Sequence, residues 1–399
     1  MMMKHFGSAL LVFCGFLMVC EAANAASAVP EPFRGFDDTS KYTIRYDDLT
    51  ALLEIVVADV GRSDRTKAAR NDAKTGTRVR AKVSRSTINE GNRFFFETFV
   101  EDEGGQQKLS YIQKSLEEVT TEMPLENFSR DEQLAYWLNL YNVTVLNEIV
   151  KIYPQRDLKK FLYGKKSILA KKMLTVEGVS LSLDDIQFTI LAQNYNHNPL
   201  IIYGLYQGII GGPNIRQSAY TGADVYPALT DNAFRFINSN RGTAIKSSKS
   251  FRVSSFYDRN RAYFPNYNAD LTAHLLAYLE GNERLALQQA TTLKSNINDW
   301  TVTDLGGSRR VIGGSLADSS AALMGSVSGG ASSNYGATAS AGTSVSGVTG
   351  GYNSTLLRKA QEASTDQESS ETKDGTVTVE DLEEDAVEAD AASESSENN

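Results

Sequence analysis

The stretch from Ser129 to Tyr153 predicts a long helix that must lie inside the fold, and the remaining elements have to be arranged around it. Ser129 can cap the start, Glu132 stands at the third helical position to complete a capping box, and Pro154 stops the run. At 100° per residue Leu134, Trp137, Leu138, Tyr141, Val145, Ile149 and Ile152 gather on one face, while Val143, Leu146 and Val150 make a second. A helix apolar on two sides is central rather than superficial. Its polar residues Asn139 and Asn142 are then drawn inside and need partners, because an unpaired buried amide costs about 1–3 kcal/mol. They are expected either to hold a neighbouring loop's backbone or to point into a cleft as ligand or oxyanion donors.

Shorter elements follow. Residues 41 to 59 carry a helical stripe, and Ser182 with Asp185 signals a second capped helix reaching about Asn194. Leu200 to Tyr206 is a continuous apolar, β-branched run of strand length, which predicts a buried strand opening into the glycine-rich loop 208–214. That loop lacks the order of a phosphate-binding motif, so tight packing or flexibility explains its glycines. Residues 224 to 240 and 269 to 279 read as helices and Phe251 to Ser254 as a short strand. Helices outnumber strands, which predicts an α+β fold: a mainly helical single domain with a small sheet, over 41–300.

Charge divides the chain further. Residues 362–399 hold fourteen acids against Lys373, so this tail carries −13 of a net charge of −9, and residues 1–361 stand at +4. Between them 301–361 reads as a linker, with Gly, Ser, Ala and Thr dominating from Gly306, and neither part can build a core, which predicts disorder over 306–399. A basic run from Arg62 to Arg85 has nine Lys or Arg against Asp64 and Asp72 without interleaved aromatics, as expected of a solvated face rather than a nucleic-acid contact.

At the other end Lys4 precedes the apolar run Phe6–Val19, too short for a span of roughly 20 residues, and Ala23-Asn24-Ala25 follows it. This is the pattern of a cleavable signal peptide over 1–25, with a linker over 26–40, and it predicts a periplasmic or secreted protein without a membrane-spanning helix. Val19 is too bulky for Cys20 to fit a lipidation site. Cleavage removes both cysteines and His5, leaving His197 and His274. Thiolate metal sites, disulfides and cysteine nucleophiles are thereby excluded, and no metal site or cofactor is expected.

The central run Asp131-Glu132-Gln133-Leu134-Ala135-Tyr136-Trp137-Leu138-Asn139-Leu140-Tyr141-Asn142 resembles the signature of the domain of unknown function 547 family, close to D-E-Q-L-A-F-W-I-N-L-Y-N. Further blocks match in order: Val176-Glu177-Gly178, Leu181 to Ile186, Asn198-Pro199, Gly212 to Arg216 with Ala219-Tyr220, and Ser254 to Asp258. The resemblance runs from about Tyr42 to Glu280. Scaffold positions carry over, among them Trp137, Asn139, Tyr141, Asn142, Ser182, Pro213 and Arg216. The reactive types do not. The family's Glu and His in I-E-H are Gln187 and Phe188, its Cys in N-C is Gln207, its later Cys is Gly212 and the His of R-I-H-F is Ile202. A Cys/His pair would imply a papain- or transglutaminase-like layout, and every member of such a pair is replaced here.

Three functions fit these residues. One is a non-catalytic exported protein whose degenerate cleft, drawn from Asn139, Asn142, Gln207, Asn214, Arg216 and Asp258, binds a small ligand or an envelope partner, with no catalytic residue. Another is a hydrolase or transferase with a non-Cys constellation, built on Asp258 or Asp184 with Tyr or Arg support. The last is an envelope interaction protein tethered through its linker and acidic tail to a basic surface.

Overall fold

The computed structural model describes residues 28–65, 87, 90–101 and 103–305, and three short strands beyond them. The expected signal peptide 1–25, most of the basic run 62–85, and the greater part of the expected Gly/Ser linker and acidic tail lie outside the described residues.

In chain order the elements are β1 (Thr43–Ile44), α1 (Asp47–Val56), β2 (Val57–Ala58), β3 (Arg93–Phe94), α2 (Glu97–Glu101), α3 (Glu103–Glu122), α4 (Arg130–Val150), α5 (Lys159–Tyr163), β4 (Leu174–Val176) and β5 (Val179–Leu181). A π-helical segment, Asp185–Leu191, runs into α6 (Ala192–Asn194), and a 3-10 helix, Pro199–Gly204, precedes α7 (Val225–Ile237). Then come β6 (Thr243–Ser247), β7 (Ser250–Ser254), α8 (Ser255–Arg259), α9 (Tyr267–Tyr278), α10 (Gly281–Gln289) and β8 (Thr292–Ile297). Inside 306–399 fall β9 (Arg310–Ile312), β10 (Ser315–Ala317) and β11 (Val379–Glu380); β9 pairs with β10, and β11 pairs antiparallel with β1. The fold is mixed α+β with several small sheets, the largest having the order β6-β7-β8, antiparallel then parallel.

Helix α4 is the axis. Of its 21 residues all but Arg130, Asp131 and Glu148 are buried, as two apolar faces require. On one side α3 is tied to it by the Tyr136 hydroxyl, which donates to Leu116 O at 2.9 Å, and by Asn147 Nδ2, which donates to Leu109 O at 3.2 Å. On another side Phe33 meets Trp137 edge to face at 5.0 Å. Residues expected to form an extended linker over 26–40 therefore reach the core: Val29 and Phe33 are both buried. The capping box closes by half. Ser129 Oγ accepts from Glu132 N at 3.3 Å, but the Glu132 carboxylate accepts instead from Ile44 N and Gly222 N, both at 3.1 Å. Burial pushes the Glu132 carboxyl up and these two amides pull it back, so the side chain fastens two distant segments to the helix start.

The expected strand at Leu200–Tyr206 is instead the buried 3-10 helix. Asn198 caps it by accepting from Leu200 N at 3.1 Å, and Pro199 takes the first position, where its missing N–H costs nothing. After it the chain turns at Gly208, whose φ of +70° suits glycine, and passes Gly211, where a Cβ would stand 2.7 Å from Asp299 N and O. Tight packing, one of the two explanations the sequence left open, accounts for both glycines.

A buried ionic seam holds the C-terminal segment to the rest. Arg241, 2% exposed, donates through Nη1 to Ile210 O at 3.2 Å and Gly212 O at 2.9 Å, and through Nη2 to Asn214 Oδ1 at 3.0 Å. Glu90 accepts from Arg241 N at 3.2 Å and from Asn240 N at 3.1 Å. Thr87 Oγ1 donates to Asp299 Oδ2 at 2.6 Å, and Arg93, with Asp304 and Asp299 offsetting its desolvation, lies in the same layer. Residues Thr301, Val302 and Asp304 form single bridges to Asp157, Ile209 and Phe94, and Leu305 is buried.

His274 on α9 is stacked on Tyr203 at 5.7 Å and shares a 2.9 Å hydrogen bond with its hydroxyl. Burial pushes the imidazole down to about 4. Between an unfolded value near 6.5 and 4, the unfolded chain takes up a proton that the native chain refuses, so stability falls as pH drops through that window. We expect a loss of about 2 kcal/mol between pH 7 and 4.5 from this residue, discounted for its partial exposure. Urea denaturation of His274→Gln should show that much less acid sensitivity; identical slopes would refute it.

Candidate functional site

A cavity of about 340 Å³ opens between α5, the π-helical segment and α8. Leu162, Tyr163 and Gly164 come from the end of α5, Ser167 and Leu169 from the following loop, Asp184, Gln187 and Phe188 from the π segment, Gln207 from the turn after the 3-10 helix, and Arg259 and Asn260 from the end of α8. A π turn carries an extra residue per hydrogen-bonded ring, and such turns recur at functional sites.

Ser182 and Asp185 explain how the segment starts. Asp185 Oδ2 accepts from Ser182 N at 2.6 Å, Ser182 Oγ accepts from Asp185 N at 3.2 Å, and Lys172 pairs with the same carboxylate at 2.6 Å. These partners hold the Asp185 carboxyl below its usual range against its own desolvation. Asp185 is thus occupied by the cap, as the sequence implied, and its neighbour Asp184 lines the cavity. Burial, with the Asp185 charge behind it, pushes the Asp184 carboxyl up.

The floor is a set of amides. Gln187 Nε2 donates to Asn260 Oδ1 at 2.5 Å, Asn260 Nδ2 donates to Phe256 O at 2.8 Å, and the Tyr263 hydroxyl donates to Gln187 O at 2.6 Å. The Tyr141 hydroxyl reaches Gln187 Oε1 at 3.5 Å. Gln207 is 2% exposed, and its Oε1 is buried without a hydrogen-bond partner. Burial pushes the phenols of Tyr141 and Tyr163 up; Arg259 and then Gln207 oppose this at Tyr163, and Gln207 opposes it at Tyr141. At the mouth the Arg259 guanidinium lies 4.7 Å from the ring centres of both Tyr163 and Trp300, and its Nη1 donates to Ser255 Oγ at 2.9 Å. Its Nε is buried and unpartnered.

The six residues singled out from the sequence do not share this cavity. Asn139 and Asn142 spend both amide atoms on backbone: Asn139 on Tyr220 O and N at 2.8 and 2.9 Å, Asn142 on Gly204 O and Tyr206 N, both at 2.9 Å. With Arg216 they line a separate crevice of about 10 Å³, too small for a ligand. Arg216 pairs with Asp224 at 3.2 Å and covers the Tyr220 ring at 4.8 Å. Asn214 Oδ1 accepts from Asn92 N and from Arg241, inside the ionic seam. Asp258 is half-exposed and paired with Arg261 at 2.7 Å. Gln207 alone of the six lines the larger cavity. Asp184, weighed as a catalytic carboxylate, lines it too, with Tyr163 near enough to feel its charge. Sequence reading missed Arg259, Asn260, Tyr163 and Trp300; the Ser254 cap starting α8 was the available signal for Arg259, since Ser254 Oγ accepts from Phe256 N at 3.1 Å and fixes the short helix that presents it.

Among the described residues no group of three or more His, Cys, Asp or Glu could hold a metal ion, and no helix is long and apolar enough to cross a membrane. The fold and cavity define an α+β domain with a polar, amide-floored pocket beside a central helix. Residues 125–237 match the model of the family described as a protein of unknown function, DUF547, a span that takes in α4, the π segment, the 3-10 helix and α7. Neither a curated protein nor a solved structure matches the chain.

Proposed function

We propose that this is an exported, non-catalytic binding protein whose ligand occupies the cavity between α5, the π segment and α8, a degenerate counterpart of a papain- or transglutaminase-like active site. One observation carries the reading. The adjacent Gln187 and Phe188 of the π segment and Gln207, twenty residues on, stand where the resembling family has Glu, His and Cys, and the two segments line one cavity. An amide and a phenyl ring there supply neither thiolate nor base, and what is left is a shaped pocket with hydrogen-bonding groups.

The test restores the pair. In Phe188→His/Gln207→Cys, a chain that has lost its leader carries the introduced side chain as its single thiol, so intact mass counts the adducts directly. We expect iodoacetamide to label the double variant at least about tenfold faster than Gln207→Cys alone at pH 7, because a neighbouring imidazole raises the thiolate fraction. Equal rates in folded proteins would remove the degenerate-site interpretation. The same mass, taken on protein from the host's envelope, should begin at Ala26; a chain retaining Met1 would sink the export claim.

A second reading, a hydrolase using Asp184, is favoured by the burial that raises this carboxyl in a cavity that Arg259 also lines. Product formation from a bound substrate separates the two.

A further inference from the structure

We infer that the occupant of this cavity is a short peptide with free termini, its ammonium at Asp184, its backbone N–H donating to Gln207 Oε1 and its carboxylate accepting from Arg259 Nε. The inference rests on the binding reading above and names the ligand class.

Two residues that line this cavity each carry a buried atom without a partner, and the two atoms have opposite demands. Gln207 Oε1 needs a donor, and Arg259 Nε–H needs an acceptor. Buried polar atoms are nearly always satisfied, so each marks a place where a ligand atom belongs. Arg259 is fixed for that purpose: Tyr163 and Trp300 hold its plane and Ser255 holds one end, so its Nε–H is held without rotamer loss. Asp184 supplies the third element. Its neighbour Asp185 already has Lys172 and the Ser182 cap, whereas no cation among the described residues is paired with Asp184.

Acceptor, donor and carboxylate in one pocket match a molecule carrying an ammonium, an amide N–H and a carboxylate. A neutral sugar offers no charge to either Asp184 or Arg259. The other polar floor groups, Gln187 and Asn260, are spent on each other and on backbone, so they select little. Leu162, Leu169 and Phe188 leave apolar wall for small side chains. About 340 Å³ lies at the lower end of the roughly 300–1,000 Å³ typical of small-molecule sites, which favours two or three residues over a longer chain.

Calorimetric titration of the whole mature chain with L-Ala-L-Ala tests this. Binding is expected, weakened at least tenfold by N-acetylation and again by C-terminal amidation. Asp184→Asn should weaken the free dipeptide at least tenfold yet leave the N-acetylated one unchanged, and Arg259→Gln should do the same toward the C-terminal amide. Folding of each variant is checked by its thermal midpoint. Blocked and free peptides binding alike would overturn the peptide assignment. If L-Ala-L-Ala gives no heat while maltose binds and Phe188→Trp abolishes that binding, the pocket reading stands and the peptide class falls. Silence from both ligands removes both. Release of free alanine from the bound dipeptide would support the peptide class and replace the non-catalytic reading with the Asp184 hydrolase.

Discussion

Arg241→Met is expected to cost about 3–5 kcal/mol, enough to remove most of the stability of an ordinary domain. The side chain is enclosed, and desolvation pushes its pKa down to about 10 while Glu90 pulls the other way. Methionine fills much of the volume but returns nothing to Ile210 O, Gly212 O or Asn214 Oδ1, and it removes one of the cations, with Arg93 and Arg65, whose charge faces Glu90. Removing one member of a buried charged set is costly because the others stay behind, desolvated. Guanidinium denaturation should show the loss in the midpoint, with Arg252→Met, whose hydrogen bonds to Asn296 are exposed, shifting stability by less than about 0.5 kcal/mol. A cost below about 1 kcal/mol for Arg241→Met would mean that backbone pairing alone holds this layer.

Asn142→Ala carries the other large effect. It strands Gly204 O and Tyr206 N at once, and two orphaned buried groups cost about 2–4 kcal/mol together. Asn139→Ala strands Tyr220 O and N in the same manner and should cost a similar amount. The two differ in reach. Asn142 positions the residue before Gln207, so its loss should also blunt labelling of the thiol introduced by Gln207→Cys in the restored variant, whereas Asn139 holds the crevice beside Arg216 and should leave labelling unchanged. Equal labelling in both backgrounds would show that Gln207 is placed by something other than Asn142.

Much of the scaffold was legible. Helix α4 shows because two apolar stripes and a cap agree over the whole of its length, and its asparagines show because burial obliges a polar group to find a partner. The Ser182–Asp185 box is local, so it reads correctly. The run Leu200–Tyr206 misleads because a short apolar segment has no period to separate strand from helix. Asn198-Pro199 was the better guide there, a cap followed by a residue suited to the first turn. Glu132 misleads differently: a local rule assigns it to its own helix start, and two distant amides outcompete that contact. The pocket was only partly legible. Gln207 came from the family pattern, but Arg259 gains its meaning from Tyr163 and Trp300, far apart in the chain, and no spacing rule connects them.

The termini of this domain are keystones rather than leads. Phe33 is wedged on Trp137 at one end, and at the other Thr301 to Asp304 are pinned between Asp157, Ile209 and Phe94. The indole that braces Arg259 belongs to that same closing segment. Whatever the chain carries beyond Leu305 is therefore attached five residues from that indole, and a pull or a bulky partner on the C-terminal extension acts on the segment that braces Arg259.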